Sequence, residues 1–190
     1  MDKHNIGFAM TGSFCTFARA ILLLEELTAL GHNVTPIMSF NAAHIDTRFG
    51  KAADFTEQME TLCGRKVIDT IEKAEPIGPQ RLLDILIIAP CTGNTLGKMA
   101  NGITDTPVTM AAKSHLRNQK PVLLGVSTND ALGASSKNIG LLQNAKNVYF
   151  IPMSQDDPAQ KPASMVADFS KTVSAMESAL KGKQMQPVIL

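Results

Sequence analysis

Ile85-Leu86-Ile87-Ile88-Ala89-Pro90-Cys91-Thr92-Gly93-Asn94-Thr95-Leu96-Gly97-Lys98-Met99-Ala100-Asn101-Gly102-Ile103-Thr104-Asp105 gives the rest of the chain its place. The apolar, β-branched run at its start reads as a buried strand that stops at Pro90. Small polar residues follow, and then a helical pattern. A strand, a tight turn and a helix start leave the first N–H groups of the helix free for an anion or a polar ring edge.

Outward from this unit, strands and helices alternate. Asn5–Met10 reads as a strand, Thr11-Gly12-Ser13 as a turn, and Phe14–Leu30 as a helix with Phe17, Ile21, Leu24 and Leu27 on one face. Gly31 suits the end of that helix. A second strand, Asn33–Met38, ends at Ser39. Ala52–Leu62 reads as helical and stops at Gly64, whereas Val67–Glu72 fits helix or strand. Pro76, Gly78 and Pro79 punctuate a loop. After the central unit, Pro107–Arg117 is expected as a helix with Pro107 in its first turn. Pro121–Val126 is expected as a strand, Asn138–Asn144 as a short helix and Asn147–Pro152 as a last strand. Met165, Val166, Phe169, Val173, Met176 and Leu180 predict one closing amphipathic helix, and Lys183–Leu190 a short tail. The alternation predicts an α/β fold: a single-domain, Rossmann- or flavodoxin-like three-layer sandwich over residues 1–190, with a mainly parallel sheet and a core of about 4–182.

In such sheets ligands lie beyond the carboxyl ends of the strands. The turns expected there are small and polar: Thr11–Ser13, Ser39–Asn41, Thr92–Thr95, Ser127–Asn129 and Pro152–Asp157. Their convergence on one pocket is expected from the pattern alone. Thr11-Gly12-Ser13 is not the three-glycine dinucleotide fingerprint, and taken alone it is equally a hydrophilic turn.

The bulk composition excludes several classes. With 44% apolar and 18% charged residues the chain can build an ordinary globular core. A net charge of +1 does not nominate nucleic acid or an anionic membrane. No run is long enough to span a bilayer. Aromatics are 5%, too few for a base-stacking surface. Cys15, Cys63 and Cys91 are an odd set without a Cys-x-x-Cys pair, which argues against a disulfide framework or a metal site and for a reducing cytoplasm. Met1-Asp2-Lys3-His4 runs directly into the first strand, so no leader is expected.

Pro90-x-Thr92-x-Asn94-Thr95, followed by Lys98, Ala100, Gly102 and Asp105, resembles the flavin motif of the homo-oligomeric flavin-containing cysteine decarboxylases. Thr11-Gly12-Ser13 is similar to that family's first-strand turn, and Asn129 to the Asn of its Met-Asn element. The resemblance implies bound FMN and a trimer or a multiple of three. It places Gly12 and Ser13, with Thr11, near the phosphate or ribityl chain. Ser39 and Asn41 would approach the flavin after the second strand. Pro90, Thr92, Gly93, Asn94 and Thr95 would cradle ring or ribityl oxygens, Asp105 would face a ring edge or a neighbouring copy of the chain, and Ser127, Thr128 and Asn129 would complete the rim. A flavin needs many neutral donors and acceptors and little charge, which suits this set.

The departures bear on activity. The position of the decarboxylases' catalytic His falls on Pro76, their Met-Asn reads Thr128-Asn129, and the Arg that flavin prenyltransferases place near Ser127 is missing. Longer stretches, among them Asn101–Lys113, Ser127–Gly133, Lys137–Leu142 and Gln155–Pro158, are similar to one branch of the family from spore-forming bacteria. That branch implies oxidation of a small dihydropyridine dicarboxylate in company with a second protein that carries NAD(P). Two alternatives stay open: an FMN-dependent decarboxylase of a cysteine-containing substrate, and a non-catalytic scaffold for the partner.

No catalytic residue is identifiable from sequence; His44, just after the second strand, is a weak candidate. His115 reads as a residue on a solvated helix face and Cys91 as buried filler. Lys113 and Arg117 suit carboxylates by chemistry, but surface charge is the plainer reading.

Overall fold

The computed structural model describes residues 2–190; Met1, within the expected domain, lies outside the described residues. The chain forms one α/β domain. Five strands run parallel in the order β2 (Asn33–Met38), β1 (Asn5–Met10), β3 (Ile85–Cys91), β4 (Val122–Thr128), β5 (Val148–Phe150). That order is the flavodoxin-like one, with its switch point between β1 and β3.

Alternate side chains of each strand serve opposite layers. Ile6, Phe8, Met10, Ile85, Ile87 and Ala89 pack against α1 (Phe17–Ala29), α3 (Ala52–Cys63) and α8 (Thr172–Leu180). Ala9, Leu86, Ile88, Cys91, Leu124 and Val126 pack on the other face, against α4 (Ile71–Ala74), α5 (Gly93–Ala100), α6 (Pro107–Leu116) and α7 (Ser136–Gln143). β3 is buried along its whole length, as its unbroken apolar run requires. It runs through Pro90 to Cys91, one residue beyond the expected stop, with a register shift against β4 between Ile88 and Cys91.

Two elements differ from expectation. Met165–Ala167 is not helical: it forms β7, antiparallel to β4 at Ser127–Thr128 and to β6 (Met153–Ser154). Met165 and Ala167 are buried and Val166 between them is not, a period-two pattern too short to separate from a helical face by sequence. The closing helix begins only at Thr172, after a single 3-10 turn capped by the Asp168 carboxylate. A short α2 (Phe40–His44) follows β2, its first turn capped by Ser39 Oγ accepting from the Ala42 amide.

The tail is tied down. The Gln184 side-chain amide accepts from the Phe150 N–H and donates to the Phe150 carbonyl, both at 2.8 Å. Val188 and Leu190 hydrogen-bond Met153 at 2.9 Å each. No helix among the described residues is long and apolar enough to cross a membrane.

Candidate flavin-binding cleft

β1, β3 and β4 end side by side, and their turns are stitched together by short hydroxyl side chains. Thr11 Oγ1 donates to the Pro90 carbonyl at 2.8 Å and accepts from the Thr92 N–H at 3.0 Å. Thr92 Oγ1 caps α5 by accepting from the Thr95 N–H, and lies 3.2 Å from Thr95 Oγ1. Ser13 Oγ and Ser127 Oγ sit 2.7 Å apart, bridging the β1 and β4 turns. Thr128 Oγ1 donates to the Asp130 carboxylate.

These turns enclose a cleft of about 710 Å³, lined by Gly12, Ser13, Thr92, Gly93, Asn94, Ser127, Thr128 and Asn129 among others. That volume lies within the roughly 300–1,000 Å³ of small-molecule sites. Among the described residues, the Gly93 and Asn94 amides, first in α5, have no acceptor, and neither does the Gly12 amide. An α5 N-terminus open to the cleft favours anions and polar ring edges.

The remaining expected residues stand around this cleft in other roles. Thr11 and Thr95 are buried behind its wall and hold Thr92. Pro90 supplies the carbonyl that pins Thr11. Ser39 caps α2, and Asn41 lies against Gly12, where a Cβ would come 3.7 Å from its own. Asp105 is exposed and pairs with Lys98 at 2.6 Å, outside the cleft lining. The Lys98 hydrogen bond holds its carboxyl below the ordinary range. His44 lines a different cleft, with Asp46, Glu57, Glu60 and Asp69. Pro76 lies in a 3-10 turn that contacts α6, away from the cleft lining.

His115 is a correction: it is 1% exposed rather than on a solvated face, with Nε2 3.1 Å from the Pro121 carbonyl, and burial lowers its pKa to about 4. Cys91 is buried as expected, and burial pushes its thiol well up. Lys113 and Arg117 are exposed on and just after α6.

Sequence reasoning reached Asp156, in the expected Pro152–Asp157 turn, but missed the rest of the charged and aromatic mouth: Arg48, Phe49, Asp130 and Lys161, with Phe14 and Cys15. The only signal for Arg48 and Phe49 was their place in a short segment after β2. Lys161 and Asp156 pair at 3.1 Å. The Ser164 hydroxyl and then Lys161 hold the Asp156 carboxyl below its usual range, and Asp156 raises Lys161.

With a parallel sheet of this order and a cleft built from the turns after β1, β3 and β4, the chain belongs to the Flavoprotein family, matched over residues 1–179. Within it, the chain is a homologue of the dipicolinate synthase B subunit. It is 48% identical to that protein from Bacillus subtilis (strain 168), over 100% of this chain and 95% of the relative. The crystal structure of the dipicolinate synthase B subunit from Bacillus halodurans C superposes with a TM-score of 0.90 at 44% identity, covering 98% of this chain and 96% of the other. The FMN-dependent cysteine decarboxylase SpaF shares the fold, with a TM-score of 0.66 at 19% identity over 93% and 95%.

Proposed function

We propose that the cleft binds FMN and that the chain acts as the B subunit of a dipicolinate synthase. In this reading it oxidises a dihydrodipicolinate-level intermediate of the lysine pathway to pyridine-2,6-dicarboxylate, working with the synthase's A subunit, which carries NAD(P). The observation that carries it is the meeting of the β1, β3 and β4 turns in one cleft that offers the unused amides of Gly12, Gly93 and Asn94. The residues present suit FMN. Gly12 and Gly93 bring bare backbone to the cleft, and the Ser13, Thr92, Asn94, Ser127, Thr128 and Asn129 side chains that share its lining are neutral. Gly12, Ser13 and the Gly93 and Asn94 amides would hold phosphate or ribityl oxygens. Thr92, Ser127, Thr128 and Asn129 would meet the polar edge of the ring. Thr11, Thr95 and Ser39 position these groups from behind the wall. Bound FMN would supply the hydride acceptor that ring aromatisation needs.

The wider reading includes a trimer or a multiple of three, with Asp105 near a neighbouring copy, and the cytoplasm of a sporulating bacterium. Support for the synthase over a cysteine decarboxylase comes from the 48% relative and from Pro76 at the position expected for the catalytic His. The test is dipicolinate formation by the A subunit on its own, by the A subunit with this chain, and by the A subunit with Asn94→Ala. The expected result is that the chain accelerates formation in an FMN-dependent way and that the variant loses most of the gain. Full-rate synthesis without this chain overturns a catalytic role. Release of carbon dioxide from a cysteinyl substrate would favour the decarboxylase.

A further inference from the structure

Arg48 and Phe49 stand at the mouth of the cleft on a turn that is unusually well fixed. Thr47 and Gly50 exchange both backbone hydrogen bonds, at 3.0 and 3.1 Å. The Phe49 amide donates to Thr47 Oγ1, and the Asp46 carboxylate accepts from the Ala52 amide at the start of α3. Gly50 has φ +143°, and a Cβ there would fall 2.7 Å from the Phe55 ring. Phe55 packs edge-on against Phe17 at 5.0 Å, and Phe17 against Phe14 at 5.2 Å. Phe14 itself lines the cleft. A chain of aromatic contacts thus runs from one cleft wall through the core to the base of the turn.

The Arg48 guanidinium lies 4.9 Å over the Phe49 ring. Its N–H groups make no hydrogen bond among the described residues and stay free for a ligand. Lys161, the cleft's other cation, is engaged by Asp156, whereas Arg48 has no carboxylate within ion-pair distance among the described residues. An unneutralised guanidinium on a fixed turn, beside aromatic surface, matches a planar ring acid: the ring meets Phe49, and a carboxylate takes two parallel N–H bonds. The cleft lining then offers two polar features of different character, neutral amides at the α5 N-terminus and the Arg48 guanidinium from the segment after α2.

We propose that Arg48 is the residue that selects the dicarboxylate at this site, receiving one carboxylate of the dihydropyridine substrate and of its planar pyridine dicarboxylate product while Phe49 carries the ring. This rests on the dipicolinate synthase reading but is separable from it. Lys113 and Arg117, the cations whose chemistry suggested carboxylates in the sequence, are not in the cleft.

The test is calorimetric titration of the full chain, loaded with FMN, with dipicolinate, and with pyridine-2-carboxylate as the one-carboxylate control. FMN affinity is measured separately on every variant. Arg48→Ala is expected to weaken dipicolinate binding about tenfold or more, the usual loss for a charge-assisted bond. Arg48→Lys is expected to restore only part, because a point charge cannot form the fork. FMN affinity stays as in the unaltered chain. Unchanged dipicolinate binding in Arg48→Ala overturns the proposal, as does an unaltered chain that takes FMN but no dipicolinate at millimolar concentration. Arg48-dependent dipicolinate binding in a chain that never takes FMN upholds the inference and sinks the flavin reading.

Discussion

Gly93→Ala is the substitution with the most to say about how the cleft is built. Gly93 opens α5 directly beneath the β4 turn. A Cβ there would stand 2.6 Å from Ser135 Oγ, 2.8 Å from Asp130 Oδ1 and 2.9 Å from Thr128 Oγ1. Three polar ends belonging to short side chains must therefore move, and the Thr128–Asp130 hydrogen bond moves with them. Overpacking of this kind costs about 1–3 kcal/mol. Alanine returns at most about 1 kcal/mol of helix preference, and less in a first turn. The expected net loss is about 1–2 kcal/mol, or a fall in Tm of about 3–6 °C for a chain of this size. The displaced Thr128 wall is also expected to weaken FMN binding about tenfold, since aligned hydrogen bonds are lost without being replaced. Urea unfolding and an FMN titration of the same preparation measure the two effects. A variant as stable as the unaltered protein, with undiminished FMN affinity, would refute the packing argument and the placing of the flavin against this turn.

Acid should destabilise the fold through His115. Its folded pKa is about 4 against an ordinary 6.5, because burial penalises the charged ring. The unfolded chain therefore binds the proton first as pH falls. The stability from keeping the ring neutral is complete above pH 6.5 and is lost on the way down to 4, with a full value of about 3 kcal/mol. Urea midpoints across that range should slope steeply, and less so in His115→Gln; an unchanged slope contradicts the assignment. His32, lowered by burial and by His4, acts with the same sign. Thiol labelling of the native chain should be fast at exposed Cys15, slow at Cys63, whose thiol burial raises to about 11, and negligible at Cys91; early reaction at Cys91 would contradict its place in the core. Gln184→Ala should cost about 1–2 kcal/mol in urea unfolding and speed amide exchange at Phe150, because both backbone groups of Phe150 lose their partner.

How far the sequence could be read depended on range. β1 and β2 were readable to their ends because apolar runs there stop at polar turns. So was the part of the cleft lined by the turns directly after β1, β3 and β4, whereas the expected turn after β2, Ser39–Asn41, does not line it. β7 was not, since Met165–Ala167 becomes a strand only by pairing with Ser127 and Thr128, some 40 residues earlier. His115 misled for the same reason: its partner, the Pro121 carbonyl, is set by the α6–β4 connection rather than by helical periodicity. Arg48 and Phe49 reach the cleft through a turn anchored by Phe55 and Phe17, contacts that no local pattern encodes. Asp105 lay in a motif position, yet it bonds Lys98 outside the cleft lining.

The proposed function requires a flat, hydrogen-bonding ligand seated where β1, β3 and β4 end. The most direct measurement is titration of the purified full chain with FMN, followed by quenching of flavin fluorescence and by the visible spectrum. Saturable binding of one FMN per chain, weakened by Asn94→Ala and unaffected by His44→Ala, is the predicted result. A chain that leaves FMN free at millimolar concentration, both by itself and with the A subunit present, would contradict it.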